Sequence, residues 1–570
     1  MASRKSLGSL IVGFLLAGTV VAAAPADKAD LILKSGEILV PDGWVQALAV
    51  KRGVILAMGS DTEIATYQGA STQVIDLAGA PVVPGLHDMH IHPTGAGEWQ
   101  NRCMFPQGSS AKVVQDTVKT CVAKRGKGVW ITGGSWDTAS FGKMVPHRKV
   151  LDAVSPDNPV ILNDISGHSS LANSRALELA GITKDTPNPT GGIIERDAKG
   201  EPTGVLREAA GFAVSRFVPP STQEETITAL KWSLDQMLTF GITSFTDAGT
   251  DPAINVAYAT LADRGQLKQR VRGCIMWSPA RLGPDGKPTP NPILKLNLYA
   301  RERFKPDCIK LVLDGVPTSG HTAAMVEPYD ESLNDKDDVR AKGLLMIPPK
   351  LLNDAVVDFD KRGWTVKFHA AGDAAVRAGI DAIEAARKAN GYSGLHHDVG
   401  HNSFIQKSDL DRAAKLGVTF EMSPYIWYQN PIIPDIAKAI GPRRMEHWTP
   451  IKGAIDSGAL VVPGSDWPVV PSLNPWVAIE TAVTRKAPGG IGEELGGAEK
   501  VTLRQAFDLF TVNAAEQMGN RHLTGSIETG LLADLLILDR NIFKVPVTDI
   551  HNTKVRMTII NGEVVYQAAK

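Results

Sequence analysis

Period-two alternation of apolar and polar residues dominates the start of the chain and returns at its end. From Ala29 to about Val83, runs such as DLILKSGEILV and TQVIDLAGAPVV are punctuated by glycine, the pattern of short strands and hairpin turns. The same style recurs in GSIETGLLADLLILD and VRMTIINGEVVY, where Asn561-Gly562 between two apolar runs predicts a tight hairpin. β-rich ends around a different middle predict one composite β-sandwich domain, built from 27–83 together with 520–570.

The middle changes period. IKLVLDG, TVKFHAAGD, HHDVGHNS and ALVVPGSDWPV each read as a buried strand running into a loop, with helical stretches between them. In one such stretch Val376, Ile380 and Ile383 share a helical face, and Thr502 with Gln505 forms a capping box that opens another. Alternating strands and helices imply a parallel sheet. His369 to His401 is one strand–helix step, His401 to Asp466 leaves room for two, and Lys310 to His369 is a step enlarged by the polar loop ESLNDKDDVR. Chemistry-bearing residues at the ends of successive parallel strands predict an α/β fold, a (β/α)8 TIM-type barrel over 84–519. A doubly wound sheet would need a glycine-rich phosphate turn, and none is found. The segment from about 97 to 220 is too long for one loop and predicts an inserted subdomain folded over the barrel mouth.

Composition narrows the function classes. A chain of 570 residues exceeds one compact core. Its 60 Lys plus Arg balance 61 Asp plus Glu, leaving no net field to recruit nucleic acid or anionic lipid. Arg4 and Lys5 precede an apolar stretch from Leu10 to Ala24 and then Pro25, a secretory signal pattern over 1–26, too short against the ~20 residues that span a bilayer. The expectation is a periplasmic or secreted protein with no membrane attachment after cleavage. Of the four cysteines, Cys103 and Cys121 flank a predicted helix, and spacing leaves a disulfide or two thiols equally open. Cys274 and Cys308 lie in apolar runs and read as buried thiols.

Candidate chemistry begins at PVVPGLHDMHIHP. His90 and His92 at the end of an apolar run point to the same side of a strand, half of a zinc-type site. His87, at odd spacing, points to the other face. A single imidazole in such a place is more often a satisfied core side chain, but His90, His92, His369 and His401 all occupy comparable strand ends. Lys310 sits among apolar residues, where an ammonium is expensive to bury. Either an acid such as Asp314 neutralises it, or the amine has reacted with CO₂ to give a metal-bridging carbamate. Asp466 in PGSDWPV either caps a loop or serves as a metal ligand and proton acceptor.

PGLHDMHIH, CIKLVLDG, FHAAGD, the GHN histidine, GSDWPV and the tail GSIETGLLADLLILD together resemble the amidohydrolase superfamily, and its family 3 branch of N-substituted formamide deformylase-like enzymes most closely. SGHSSLANSRALELAGI and RDAKGEPTGVLREAA are similar to that branch's insertion. The resemblance runs from about Ala29 to Tyr566. It implies one or two divalent metals, zinc expected, with His90, His92 and Asp466 on one, His369 and His401 on the other, and carbamylated Lys310 between. Asp466 would also be the general base, and His168 in SGHSS would orient the substrate. Two departures stand out: Gly400 where an acidic residue usually precedes the histidine, and His321 where arginine is common.

The expected function is metal-dependent hydrolysis of an amide or other non-peptide C–N bond in a small substituted substrate. A lactone or ester hydrolase on the same centre, and a non-catalytic periplasmic binding or regulatory protein, are the alternatives. A serine hydrolase is disfavoured because no G-x-S-x-G occurs. Trp99, Trp136, Trp427 and Trp467 either line the mouth or pack in the core, and a homo-oligomer is left open.

Overall fold

The structure is a computed structural model that describes residues 28–100, 102–138, 141, 145–279, 292–318, 320–330 and 341–569. The expected signal segment and the ESLNDKDDVR loop lie outside the described residues. Eight strands run in one sheet in chain order: β1 (Leu86–Ile91), β2 (Ile242–Thr250), β3 (Arg270–Met276), β4 (Phe304–Val312), β5 (Thr365–Ala370), β6 (Asp398–His401), β7 (Thr419–Met422) and β8 (Leu460–Pro463). Every ladder is parallel. The outer strands β1 and β8 meet through loop bonds, with the Asp466 N–H donating to the His90 carbonyl at 2.7 Å and the His92 N–H to the Trp467 carbonyl at 2.9 Å. The sheet is a TIM-type barrel, as the spacing predicts.

Strand alternation sorts the side chains. Val366, Phe368, Val399, Phe420 and Met422 face the helices, where they join a core that includes the fully buried Val376, Ile380 and Ile383. Apart from Gly400, the intervening positions of β5, β6 and β7 are polar and turn inward. There Lys367 Nζ lies 2.9 Å from Asp398 Oδ1 and 3.6 Å from Glu421 Oε2, with all three side chains buried. Burial opposes the Lys367 charge, but the two carboxylates outweigh it and raise its pKa.

Strands from both chain ends share one six-stranded sheet, in which Leu535–Leu538 and Val555–Ile560 continue from Pro81–Pro84 and Glu37–Val40. It packs on a four-stranded sheet through Leu33, Leu48, Ile537 and Ile559 among others. Asn561 and Gly562 both take positive φ, 51° and 73°, the backbone that a two-residue hairpin turn requires. Between β1 and β2 a separate six-stranded sheet runs from Cys103–Met104 to Pro202–Glu208, and the helix Gln223–Thr239 then returns the chain to the barrel. Among the described residues no helix is long and apolar enough to cross a membrane.

Both cysteine pairs are disulfides. Cys103 joins Cys121, settling what spacing left open. Cys274 joins Cys308, which corrects the expectation of two buried thiols. The cause is register: these residues are paired partners on neighbouring strands β3 and β4, an adjacency that two separate apolar runs do not reveal.

Outside the barrel, Asp360 is fully buried and accepts from Arg387 Nη1 at 3.0 Å, His397 Nε2 at 2.9 Å and Asn390 Nδ2 at 2.9 Å. Burial works against its charge, but these donors win and hold the carboxyl below the ordinary range. A depressed carboxyl contributes stability above its unfolded pKa of about 3.9 that is lost as pH falls through the folded value. Asp360→Ala should therefore cost about 3–5 kcal/mol near neutrality. Thermal unfolding of both proteins at pH 7 and below pH 3 checks this; a gap that does not narrow in acid would refute the assignment.

Candidate active site

The peptide bonds that close the barrel also carry the predicted ligands. β1 delivers His90 and, one residue past its end, His92, while the turn after β8 delivers Asp466. His92 Nε2 stands 3.3 Å from Asp466 Oδ1, and His90 Nε2 stands 3.7 Å from the same oxygen. Asp88 helps to fix this seam, since its Oδ1 accepts from the backbone N–H of both His90 and Ser465. Lys310 reaches in from β4 with Nζ 3.3 Å from His90 Nε2. Burial, and after it the nearby Lys367 ammonium, lowers the Lys310 pKa to about 8, which favours a neutral amine.

β5 and β6 bring the other pair. The rings of His369 and His401 have centroids 4.4 Å apart, and His401 lies 4.6 Å from His90. Burial lowers the pKa of His90, His369 and His401 well below the usual value, so each is a neutral imidazole with a lone pair to donate. His168 comes down from the insertion and lies 4.7 Å from His369. All seven predicted residues are thus gathered at one mouth. His401 and Asp466 hold left-handed backbone, φ 72° and 56°, a conformation that costs non-glycine residues about 1–3 kcal/mol and concentrates at functional sites.

A divalent metal fits these donors. The ligand atoms of His90, His92 and Asp466 lie within 4.8 Å of one another, a spread that suits ligand bonds of about 2.0–2.2 Å.

Several partners of these histidines lay outside the sequence reading. Asp314, considered as a counter-ion for Lys310, instead takes His369 Nδ1 at 3.1 Å and the backbone N–H groups of Ala324, Ala371 and Gly372. Glu421 holds His90 Nδ1 at 2.5 Å. Its one cue was a charge inside the apolar run VTFEMS, the same cue that singled out Lys310. Gly400 is its cross-strand partner, and a Cβ there would already lie 2.6 Å from Glu421 Oε2. The missing acidic side chain at 400 is therefore the space that Glu421 fills. His321, the other departure, stacks on Tyr329 with ring centroids 4.3 Å apart. Trp427 is wholly buried in the barrel core, and Trp136 is 2% exposed with its indole N–H on the Leu162 carbonyl; packing accounts for both.

With this geometry in view, comparison with known proteins is decisive. Residues 73–566 match the family described as "Amidohydrolase family". The chain belongs to that family. This amidohydrolase is 30% identical to Protein LONG AFTER FAR-RED 3 of Arabidopsis thaliana, across 94% of this chain and 92% of that one. It is 26% identical to N-substituted formamide deformylase of Arthrobacter pascens, across 94% and 98%. In fold it resembles an uncharacterized metal-dependent hydrolase from Pyrococcus horikoshii, with a TM-score of 0.70 at 23% identity over 91% of this chain and 99% of that one. Membership makes the chain a metal-dependent hydrolase of the amidohydrolase type.

One ion pair inside the insertion of this amidohydrolase is fastened to the barrel side by a hydrogen bond. His168 Nδ1 lies 2.8 Å from Glu208 Oε2, and Glu208 Oε1 accepts from Thr322 Oγ1 at 2.8 Å. Burial opposes charge on His168, but Glu208 outweighs it and raises the pKa to about 9. The pair's contribution to stability is full below about pH 6.5 and is lost as pH rises through about 9. In Glu208→Gln the largest contribution opposing burial is lost and only the more distant Asp164 and Asp466 still favour the charge, so NMR titration of His168 should show its pKa falling from about 9; a value unchanged from wild type would contradict the pairing.

Proposed function

We propose that this amidohydrolase hydrolyses an amide or other non-peptide C–N bond of a small substituted substrate, with Asp466 as the proton-transferring base. The observation that carries this reading is the convergence of His90, His92 and Lys310 on the Asp466 side of the closure seam, with His369 and His401 facing them. In this reading His90, His92 and Asp466 would hold one metal, His369 and His401 would hold the other, and Lys310 as a carbamate would serve both. A divalent cation there, zinc being the expected one, supplies Lewis acidity and a water of lowered pKa.

The chain's own residues do the rest. Asp466 accepts the proton of the attacking water at a carboxylate oxygen and returns it to the departing nitrogen. His168, its Nδ1 committed to Glu208, presents Nε2 as a donor to the substrate carbonyl oxygen. Lys310 is sheltered from water, and burial lowers its pKa to about 8, which raises the share of the neutral amine that captures CO₂. Where the insertion meets the loops after β4 and β7, Ile165, Arg207, Thr318 and Ile432 line a crevice, and Ser169 in its wall adjoins His168. The similarity to a formamide deformylase supports this class of bond.

Export belongs to the same proposal. The charged and apolar N-terminus precedes a chain in which all four cysteines are paired, and disulfides persist in oxidising compartments. The periplasmic or secreted destination and the domain limits 27–83 with 520–570, 84–519 and an insertion at about 97–220 are part of the proposal.

A screen of metal-loaded protein against N-substituted formamides, amides, lactones and esters tests it. C–N hydrolysis that a chelator abolishes, and that falls about 10²–10⁴-fold in Asp466→Asn, is the expected result. Turnover of lactones or esters alone would replace the amide reading, and activity indifferent to Asp466→Asn would remove its role.

A further inference from the structure

Glu421 occupies a place that a stray core carboxylate would not. It rises from β7 on the far side of His90: Oε2 contacts Nδ1 at 2.5 Å, while Nε2 of the same ring faces Asp466 and Lys310. Its other oxygen lies 3.5 Å from Ser423 Oγ, and Ser423 Oγ lies 3.4 Å from His401 Nδ1. One carboxylate therefore stands behind a histidine from each half of the centre. Two glycines make the room for it, since a Cβ at Gly400 or at Gly464 would overlap its oxygens. Lys367 braces it from below at 3.6 Å.

We propose that Glu421 is a positioning residue that joins the two halves of the centre, holding His90 directly and His401 through Ser423. The imidazole–carboxylate contact sets the tautomer: Nδ1–H donates to Glu421, and Nε2 is left with its lone pair aimed at the mouth. Ser423 can accept from His401 Nδ1–H and donate to Glu421 Oε1, which sets the second ring the same way. Glu421 is not a ligand in this arrangement, because it lies behind the ring. The inference rests on the metal-centre reading given above.

Competition titration of the full chain with zinc and a chromophoric chelator tests it, with thermal unfolding of the metal-free proteins alongside. Glu421→Ala should weaken zinc binding by about 10–100-fold for both equivalents. Glu421→Gln, which keeps an acceptor for His90, should recover part of that loss. Ser423→Ala, which leaves the His90 contact intact, should weaken one equivalent and spare the other. If Glu421→Ala does not fold, Ser423→Ala decides: equal loss at both equivalents, or none, overturns the proposal. Folded Glu421→Ala with wild-type affinity overturns it while leaving the metal centre standing. So does a loss of metal-free stability with no change in affinity. Wild-type protein that binds no zinc overturns the metal-centre reading and this inference with it.

Discussion

Closing a parallel barrel requires its first and last strands to meet, and here they do so through very few hydrogen bonds. The His90 carbonyl takes the Asp466 N–H, the Trp467 carbonyl takes the His92 N–H, and Asp88 takes one N–H from each side. The residues that complete the fold are therefore the residues that present the candidate ligands. Asp466 takes left-handed backbone at this seam, and His401 takes it at the end of β6, a conformation that concentrates at functional sites.

Polar residues fill the barrel interior because they come in matched sets. Lys367 lies between Asp398 and Glu421, and Gln517 Nε2 caps the other oxygen of Asp398 at 2.9 Å. Four histidines at the mouth each have a defined neighbour on the Nδ1 side: Glu421 for His90, Asp314 for His369, Ser423 for His401 and Glu208 for His168. Such pairing turns a costly burial into fixed orientation. Glu208 adds a mechanical link, since its bond to Thr322 holds the insertion over the mouth.

Much of this was legible in the chain. Strand-end positions of His369, His401 and Asp466 followed from apolar runs, and step lengths between them gave the barrel. Asn561-Gly562 and the Thr502–Gln505 capping box formed as their residue types demand. What remained hidden was contact between residues far apart in sequence. No local pattern places Glu421 against His90, 331 positions away, or sets Cys274 beside Cys308. The tryptophans show the converse limit: an aromatic in a loop reads the same whether it lines a mouth or, like Trp427, packs inward.

Bringing Lys310 within 3.3 Å of His90 is the claim on which a lysine-bridged centre depends. Elemental analysis of purified wild type and Lys310→Ala, both prepared without added metal, tests it most directly. The account predicts about two equivalents of divalent metal per wild-type chain and a clear fall in the variant. Equal metal content in the two proteins would contradict it and leave Lys310 as a structural residue.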